Sequence, residues 1–220
     1  MIAKNLISDG IMPLKTSDTG KTALSWMEEY KVSHLPIVNN QEFLGLISEL
    51  DIYDLNNFDE PLGNHKLSLS NPYVYDYQHI YDVLKLVSEQ NLSLVPVLNE
   101  KGNYLGSINL QSLVKHFARA LSVDNPGGII VLEMTYNSYS LTELSKIVEE
   151  NDAKILSTFI MSHNDSTRLD VFLKLNTVEI SPILKTLERY DYFVKASFGH
   201  EDDLDELRER YDSLMNYLNV

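Results

Sequence analysis

The chain contains no cysteine, which excludes both a disulfide framework and a thiolate metal site. A reducing compartment fits that composition, and the expected location is cytoplasmic. Six histidines are scattered without a paired spacing, so no metal site is expected. No apolar run approaches the roughly twenty residues of a membrane span. Residues 1–6 also lack the apolar core of a secretory signal, and no membrane partner is expected. Basic residues are scarce: 18 Lys and Arg stand against 32 Asp and Glu, a formal net charge of -14. Such a surface repels a phosphate backbone, whose binding depends on clustered cations that release counterions. Nucleic acid is therefore excluded as an expected partner. A glycine-rich phosphate loop and a nucleophile elbow are also missing, so the chain is not expected to be an enzyme.

At 220 residues and 44% hydrophobic composition, the chain can build two modest cores. Its organising stretch is Leu35-Pro36-Ile37-Val38, a turn at 39–42, and then Gly45-Leu46-Ile47-Ser48-Glu49-Leu50-Asp51. Apolar runs on both sides of a polar turn predict a β-hairpin, and the second strand leads into a helix at Ser48. A preceding helix over 22–30 carries Ala23, Leu24, Met27 and Tyr30 at helical spacing, with Asp18 and Thr19 as cap candidates. Residues 56–71, rich in Asn, Asp, Gly, Pro and Ser, read as a connection. The unit then recurs. Pro36 maps to Pro96 and Gly45 to Gly106, and the stripe Ala23, Leu24, Met27 maps to Val83, Leu84, Val87. Two such units most simply bury their apolar faces against each other.

The hairpin-to-helix corner is where chemistry could reside. Backbone N–H groups opening a helix lack intrahelical partners, and the dipole there favours an anion or a ribose oxygen. Ser48 and Asp51 sit at that corner. Ser-x-x-acid is also close to a capping box, which alone would account for both residues. In the second copy the matching residues are Asn109 and Ser112. Asn109 remains a good cap, whereas Ser112 has no carboxylate to accept from a diol.

Apolar-Pro-apolar-apolar, a hairpin, then Gly-x-x-Ser-x-x-Asp, repeated over residues 1–121, resembles a pair of CBS domains forming a Bateman module. That resemblance implies an adenine nucleotide or adenosyl ligand held between the repeats, with occupancy passed to an attached domain. It implies that Ser48 contacts a phosphate and Asp51 the ribose hydroxyls. A carboxylate suits that second role because it accepts from both hydroxyls of a cis-diol. Residues 1–125 hold nine Lys or Arg against fifteen Asp or Glu, which favours AMP or adenosine over a triphosphate. No cofactor is required. Lys115 and Arg119, one turn apart after the second hairpin, are secondary candidates for a phosphate, although such pairs usually solvate a helix face.

The pattern changes after residues 123–128, a Pro-Gly-Gly linker. Ile130, Leu132, Met134 and Tyr136 alternate on one strand face, and Leu141, Leu144, Ile147 and Val148 form a helical stripe. Strands follow over 154–161 and 168–176, then a helix over 180–190 and a strand over 192–198. The order βαββαβ is the ferredoxin-like split motif. After a CBS pair it resembles an ACT domain, an arrangement similar to that of acetoin utilization proteins of the AcuB type. Its turn at 136–141 has no glycine, so a ligand would be kept from the backbone there. In the tail, Leu204, Leu207, Tyr211, Leu214 and Leu218 recur at helical spacing.

The expected fold is α/β in the α+β sense: two tandem CBS repeats (1–55 and 72–122, joined by 56–71), a linker at 123–128, an ACT-like domain at 129–199 and a C-terminal helix at 200–220. The expected function is regulatory and non-catalytic, sensing an adenine nucleotide, with the ACT-like part serving assembly or output toward an unknown regulated protein. A homodimer is expected. The alternative is a dimerisation scaffold whose motifs only cap helices.

Overall fold

The structure is a computed structural model that describes residues 1–65, 69–163 and 167–199. The chain divides into two compact units, Met1–His116 and Phe117–Val220.

The first unit holds both repeats around one shared core. In the first repeat, α1 (Gly20–Tyr30) is capped by Thr19, whose side chain accepts from the Thr22 N–H. Strands β1 (His34–Asn39) and β2 (Glu42–Ser48) form the antiparallel hairpin, and α2 (Glu49–Tyr53) closes it. The turn residues Asn40 and Gln41 both have positive φ, the geometry that matches the twist of a tight hairpin. In the second repeat, β3 (Val74–Tyr75) runs parallel to β4 (Leu94–Leu98), which pairs antiparallel with β5 (Tyr104–Asn109). Helices α3 (Ile80–Gln90) and α4 (Leu110–Ala120) flank that sheet in sequence. The connection at 56–71 also contributes to the core, since Leu62 within it is fully buried.

The repeats are tied by exchanged segments. Residues before α1 reach the second hairpin, where the Ser8 N–H donates to the Ser107 carbonyl at 2.8 Å. Residues before β3 reach the first, where the Leu46 N–H donates to the Ser70 carbonyl at 2.8 Å. Each crossing lies on a glycine. A Cβ on Gly45 would stand 2.6 Å from Leu69 Cβ and 2.9 Å from the Ser70 oxygen, and one on Gly106 would stand 2.5 Å from Ile7 Cγ2. With φ of +146° and +156°, both positions also hold a backbone conformation that side chains disfavour. The glycine of the repeated motif therefore makes room for the crossing segment.

The second unit contains β6 (Ile129–Thr135), α5 (Leu141–Glu150), β7 (Ile155–Ser162), β8 (Arg168–Leu175), α6 (Ser181–Arg189) and β9 (Phe193–Phe198). The sheet order is β7-β8-β6-β9 with all neighbours antiparallel, the ferredoxin-like arrangement. Ile130, Leu132 and Met134 pack with Leu144, Ile147 and Val148 of α5 and with Ile183 and Leu187 of α6. Two expected core residues lie outside it. Tyr136 is 78% exposed because β6 ends at Thr135, and Leu141 is 41% exposed at the first position of α5. Alternation and helical spacing carry no information on where an element stops. The expected tail helix at 200–220 lies outside the described residues.

Candidate functional site

The first corner is built by β2 delivering Ser48 in extended conformation at the start of α2. Ser48 Oγ accepts from the Asp51 N–H at 3.1 Å and donates to Asp51 Oδ2 at 2.6 Å. The same oxygen accepts from the Ser48 N–H at 2.8 Å. This is a complete capping box. Asp51 is exposed, and its Oδ1 makes no hydrogen bond among the described residues. Helix α2 has only five residues, the Glu49 N–H donates to the Ser33 carbonyl at 3.0 Å, and the Asp51 N–H is engaged by the cap. What the corner offers is a carboxylate acceptor rather than a nest of free donors.

Sequence reasoning missed the group beside it. His34, at the start of β1, has Nδ1 at 3.1 Å from Ser33 Oγ and 3.0 Å from Ser93 Oγ. The Ser93 N–H reaches the same nitrogen at 3.4 Å. A backbone N–H only donates, so Nδ1 accepts and the ring proton sits on Nε2. Burial holds the imidazole below the ordinary histidine pKa, opposed by the nearby Asp51 charge. The Ser33 N–H also donates to Ser93 Oγ at 2.9 Å, so this cluster fastens one repeat to the other beside the carboxylate. The signal was present in the sequence: Ser33 and Ser93 stand at the same position of the repeat. An open depression of about 650 Å³ adjoins the cluster, with Ser33, Ser93, Lys31, Glu49 and Tyr53 on its wall.

The second corner keeps the cap and loses the acceptor. Asn109 Oδ1 accepts from the Ser112 N–H at 2.7 Å. The Ser112 hydroxyl donates to the Leu6 carbonyl at 3.5 Å, and the Asn109 N–H donates to Ser8 Oγ at 3.1 Å. The exchanged segment thus lies against this corner. Lys115 and Arg119 are both exposed on α4, and among the described residues neither makes an ion pair or joins either corner. No group of three or more potential metal ligands occurs among the described residues. No helix among them is long and apolar enough to cross a membrane.

The CBS domain family model matches residues 3–56 and 67–119, which contain the two hairpins and their corners. A CBS domain-containing protein of Dictyostelium discoideum is 26% identical over 136 residues, covering 55% of this chain and 94% of the relative. A CBS domain pair/ACT domain protein of Thermotoga maritima shows 24% identity and a TM-score of 0.49 over 55% of this chain and 99% of that one. CBSX2, a CBS-pair protein of Arabidopsis thaliana, has been solved in complex with AMP. It shows 19% identity and a TM-score of 0.47 over 54% of this chain and 96% of that one. The two hairpin repeats with their capped corners are accordingly a tandem pair of CBS domains, spanning residues 3–56 and 67–119.

Proposed function

We propose that the CBS pair is a regulatory, non-catalytic sensor that binds one adenine nucleotide per chain at the first corner. The observation that carries this reading is the difference between the corners. Asp51 presents an exposed carboxylate with one oxygen unbonded among the described residues, whereas Ser112 presents a hydroxyl already donating to Leu6. A carboxylate can accept from both ribose hydroxyls, and charge-assisted bonds of this kind are the stronger ones. His34, with its proton on Nε2, is added to the proposed site as a donor. Ser48 would contact a phosphate only by turning its proton from Asp51 to the ligand. The scarcity of cations favours AMP or adenosine, and AMP is the ligand carried by CBSX2. The ferredoxin-like unit serves in this reading as an ACT-like assembly or output domain, the order found in AcuB-type proteins, in a cytoplasmic homodimer. The proposed domain limits are 1–55, 72–122 and 129–199.

A scaffold function is the second reading, favoured by the completeness of both caps, since neither corner needs a ligand to be satisfied. Thermal unfolding with and without AMP separates the two. The sensor reading expects a rise in Tm that is lost in Asp51→Ala, and an unchanged Tm at millimolar nucleotide contradicts it.

A further inference from the structure

The two repeats meet at one position of their shared pattern, Ser33 in the first and Ser93 in the second. The backbone part of this meeting is alike on both sides. The Ser33 carbonyl accepts from the Glu49 N–H that opens α2 at 3.0 Å, and the Ser93 carbonyl accepts from the Leu110 N–H that opens α4 at 3.3 Å. The side-chain part is one-sided. Ser93 is followed by Leu94, fully buried and without a polar side-chain atom, whereas Ser33 is followed by His34, whose Nδ1 lies against the opposite repeat.

The Ser93 hydroxyl joins two polar groups of the first repeat. It accepts from the Ser33 N–H at 2.9 Å and lies 3.0 Å from His34 Nδ1. Since the Ser93 N–H at 3.4 Å makes Nδ1 an acceptor, the hydroxyl proton is directed at the ring. A chain results, from the Ser33 N–H through the Ser93 hydroxyl to the imidazole, in which each bond polarises the next. Ser33 Oγ approaches the same nitrogen at 3.1 Å from within its own repeat, so Ser93 alone supplies the tie across repeats. With Nδ1 engaged, the ring proton sits on Nε2, which makes no hydrogen bond among the described residues. Burial lowers the pKa of this ring, and the Asp51 charge opposes that shift. The other titrating groups nearby are Glu28, Lys31, Glu49 and Tyr53, on the wall of the depression that Ser33 and Ser93 also line. A donor at His34 Nε2 and an acceptor at Asp51 Oδ1 are thus both unengaged among the described residues. A ribose hydroxyl can accept from the first and donate to the second.

Resting on the reading of the first corner as a nucleotide site, we propose that Ser93 is a positioning residue for that corner, supplied by the second repeat. Its hydroxyl holds His34 with the Nε2–H toward the ligand, so the repeat whose own corner only caps completes the site of the other. The test uses the full chain with Ser93→Ala, Ser93→Thr, His34→Gln and the double variant His34→Gln/Ser93→Ala, each first shown to unfold cooperatively. Without ligand, NMR titration of the imidazoles reads the positioning directly, the signal missing from His34→Gln identifying His34. A donor lost from Nδ1 favours the protonated ring, so the His34 midpoint is expected to rise in Ser93→Ala and to return in Ser93→Thr. With AMP, Kd is expected to rise roughly 3- to 10-fold in Ser93→Ala, to recover in Ser93→Thr, and to change by less than about twofold when Ser93→Ala is made in the His34→Gln chain. A midpoint that Ser93→Ala leaves in place would overturn the proposal. So would an equal loss of affinity in both backgrounds, which would have Ser93 act through Ser33 and the opening of α2 alone. No binding of AMP to the natural chain would overturn the nucleotide reading itself, an outcome told apart from failure of the positioning by the titration, which needs no ligand.

Discussion

In the first repeat the residue three after the cap is Asp51, exposed and with one carboxylate oxygen unbonded among the described residues; in the second it is Ser112, half-buried and donating to the Leu6 carbonyl. Both corners sit on the same strand-to-helix junction, and both caps are made through a side-chain oxygen accepting from the backbone three residues on. The difference teaches that the motif has two separable parts. The cap and the glycine belong to the scaffold and persist in both copies, whereas the acceptor is a removable addition. The neighbours diverge in the same way. His34 in the first repeat corresponds to Leu94 in the second, and Phe43 corresponds to Tyr104, so each repeat carries a different titrating group.

The largest expected effect comes from filling the glycines. Gly45→Ala meets a backbone oxygen and a Cβ, neither of which can rotate away, while Gly106→Ala meets the end of the Ile7 side chain. Overpacking and a disfavoured φ each cost about 1–3 kcal/mol. Gly45→Ala is expected to lose stability toward the upper end of their sum, and Gly106→Ala clearly less. Urea unfolding of the two variants measures this, and equal losses would mean that the crossings are equivalent.

Removing the caps comes next. Ser48→Ala and Asn109→Ala should each cost about 1 kcal/mol, within the usual range for a lost N-cap. Similar losses in the two repeats support a scaffold role for both caps. A loss confined to the second repeat would mean that Ser48 is kept for something else.

The pH response should differ between the repeats. Burial depresses the His34 pKa, so the unfolded chain binds more protons there; its stabilising contribution is complete above about pH 6.5 and declines as pH falls below that value. Burial pushes the Tyr104 phenol up to about 12 against an opposing hydrogen bond to Ser107. The unfolded tyrosine ionises near 10, so stability is lost as pH rises between 10 and 12. His34→Gln should flatten the acid limb of stability against pH, and Tyr104→Phe the alkaline limb. Denaturant midpoints across the pH range check both. Smallest of all, Lys115→Ala and Arg119→Ala should leave stability and nucleotide affinity unchanged within error, as expected for exposed residues joined to neither corner.

Much of this architecture was legible in the residues. The repeat offset aligned the hairpins, the alternation of Leu169, Val171, Leu173 and Leu175 marked a strand with one core face, and Ser-x-x-Asp announced a capping box. Element ends were less legible, as Tyr136 and Leu141 show, because a terminus depends on tertiary pairing that local spacing does not encode. The exchanged segments were hidden for a similar reason. Nothing local to Ile7 or Ser70 states that its partner lies in the other repeat, and His34 acquires its role only once Ser93 is brought beside it. The engagement of the Ser112 hydroxyl by Leu6 likewise depends on that exchange. It also means that Ser112→Asp would aim a carboxylate at a carbonyl oxygen, so this substitution is expected not to create a second site.

The central claim is that one corner binds and the other only caps. Calorimetric titration of AMP into the full chain and into Asp51→Ala tests it most directly. The account predicts one site per chain, weakened in Asp51→Ala by about 1.5–3 kcal/mol, the range for hydrogen bonds to a charged group. That corresponds to roughly 10- to 150-fold in Kd. Two equal sites in the natural chain, or AMP binding that Asp51→Ala leaves untouched, would contradict it.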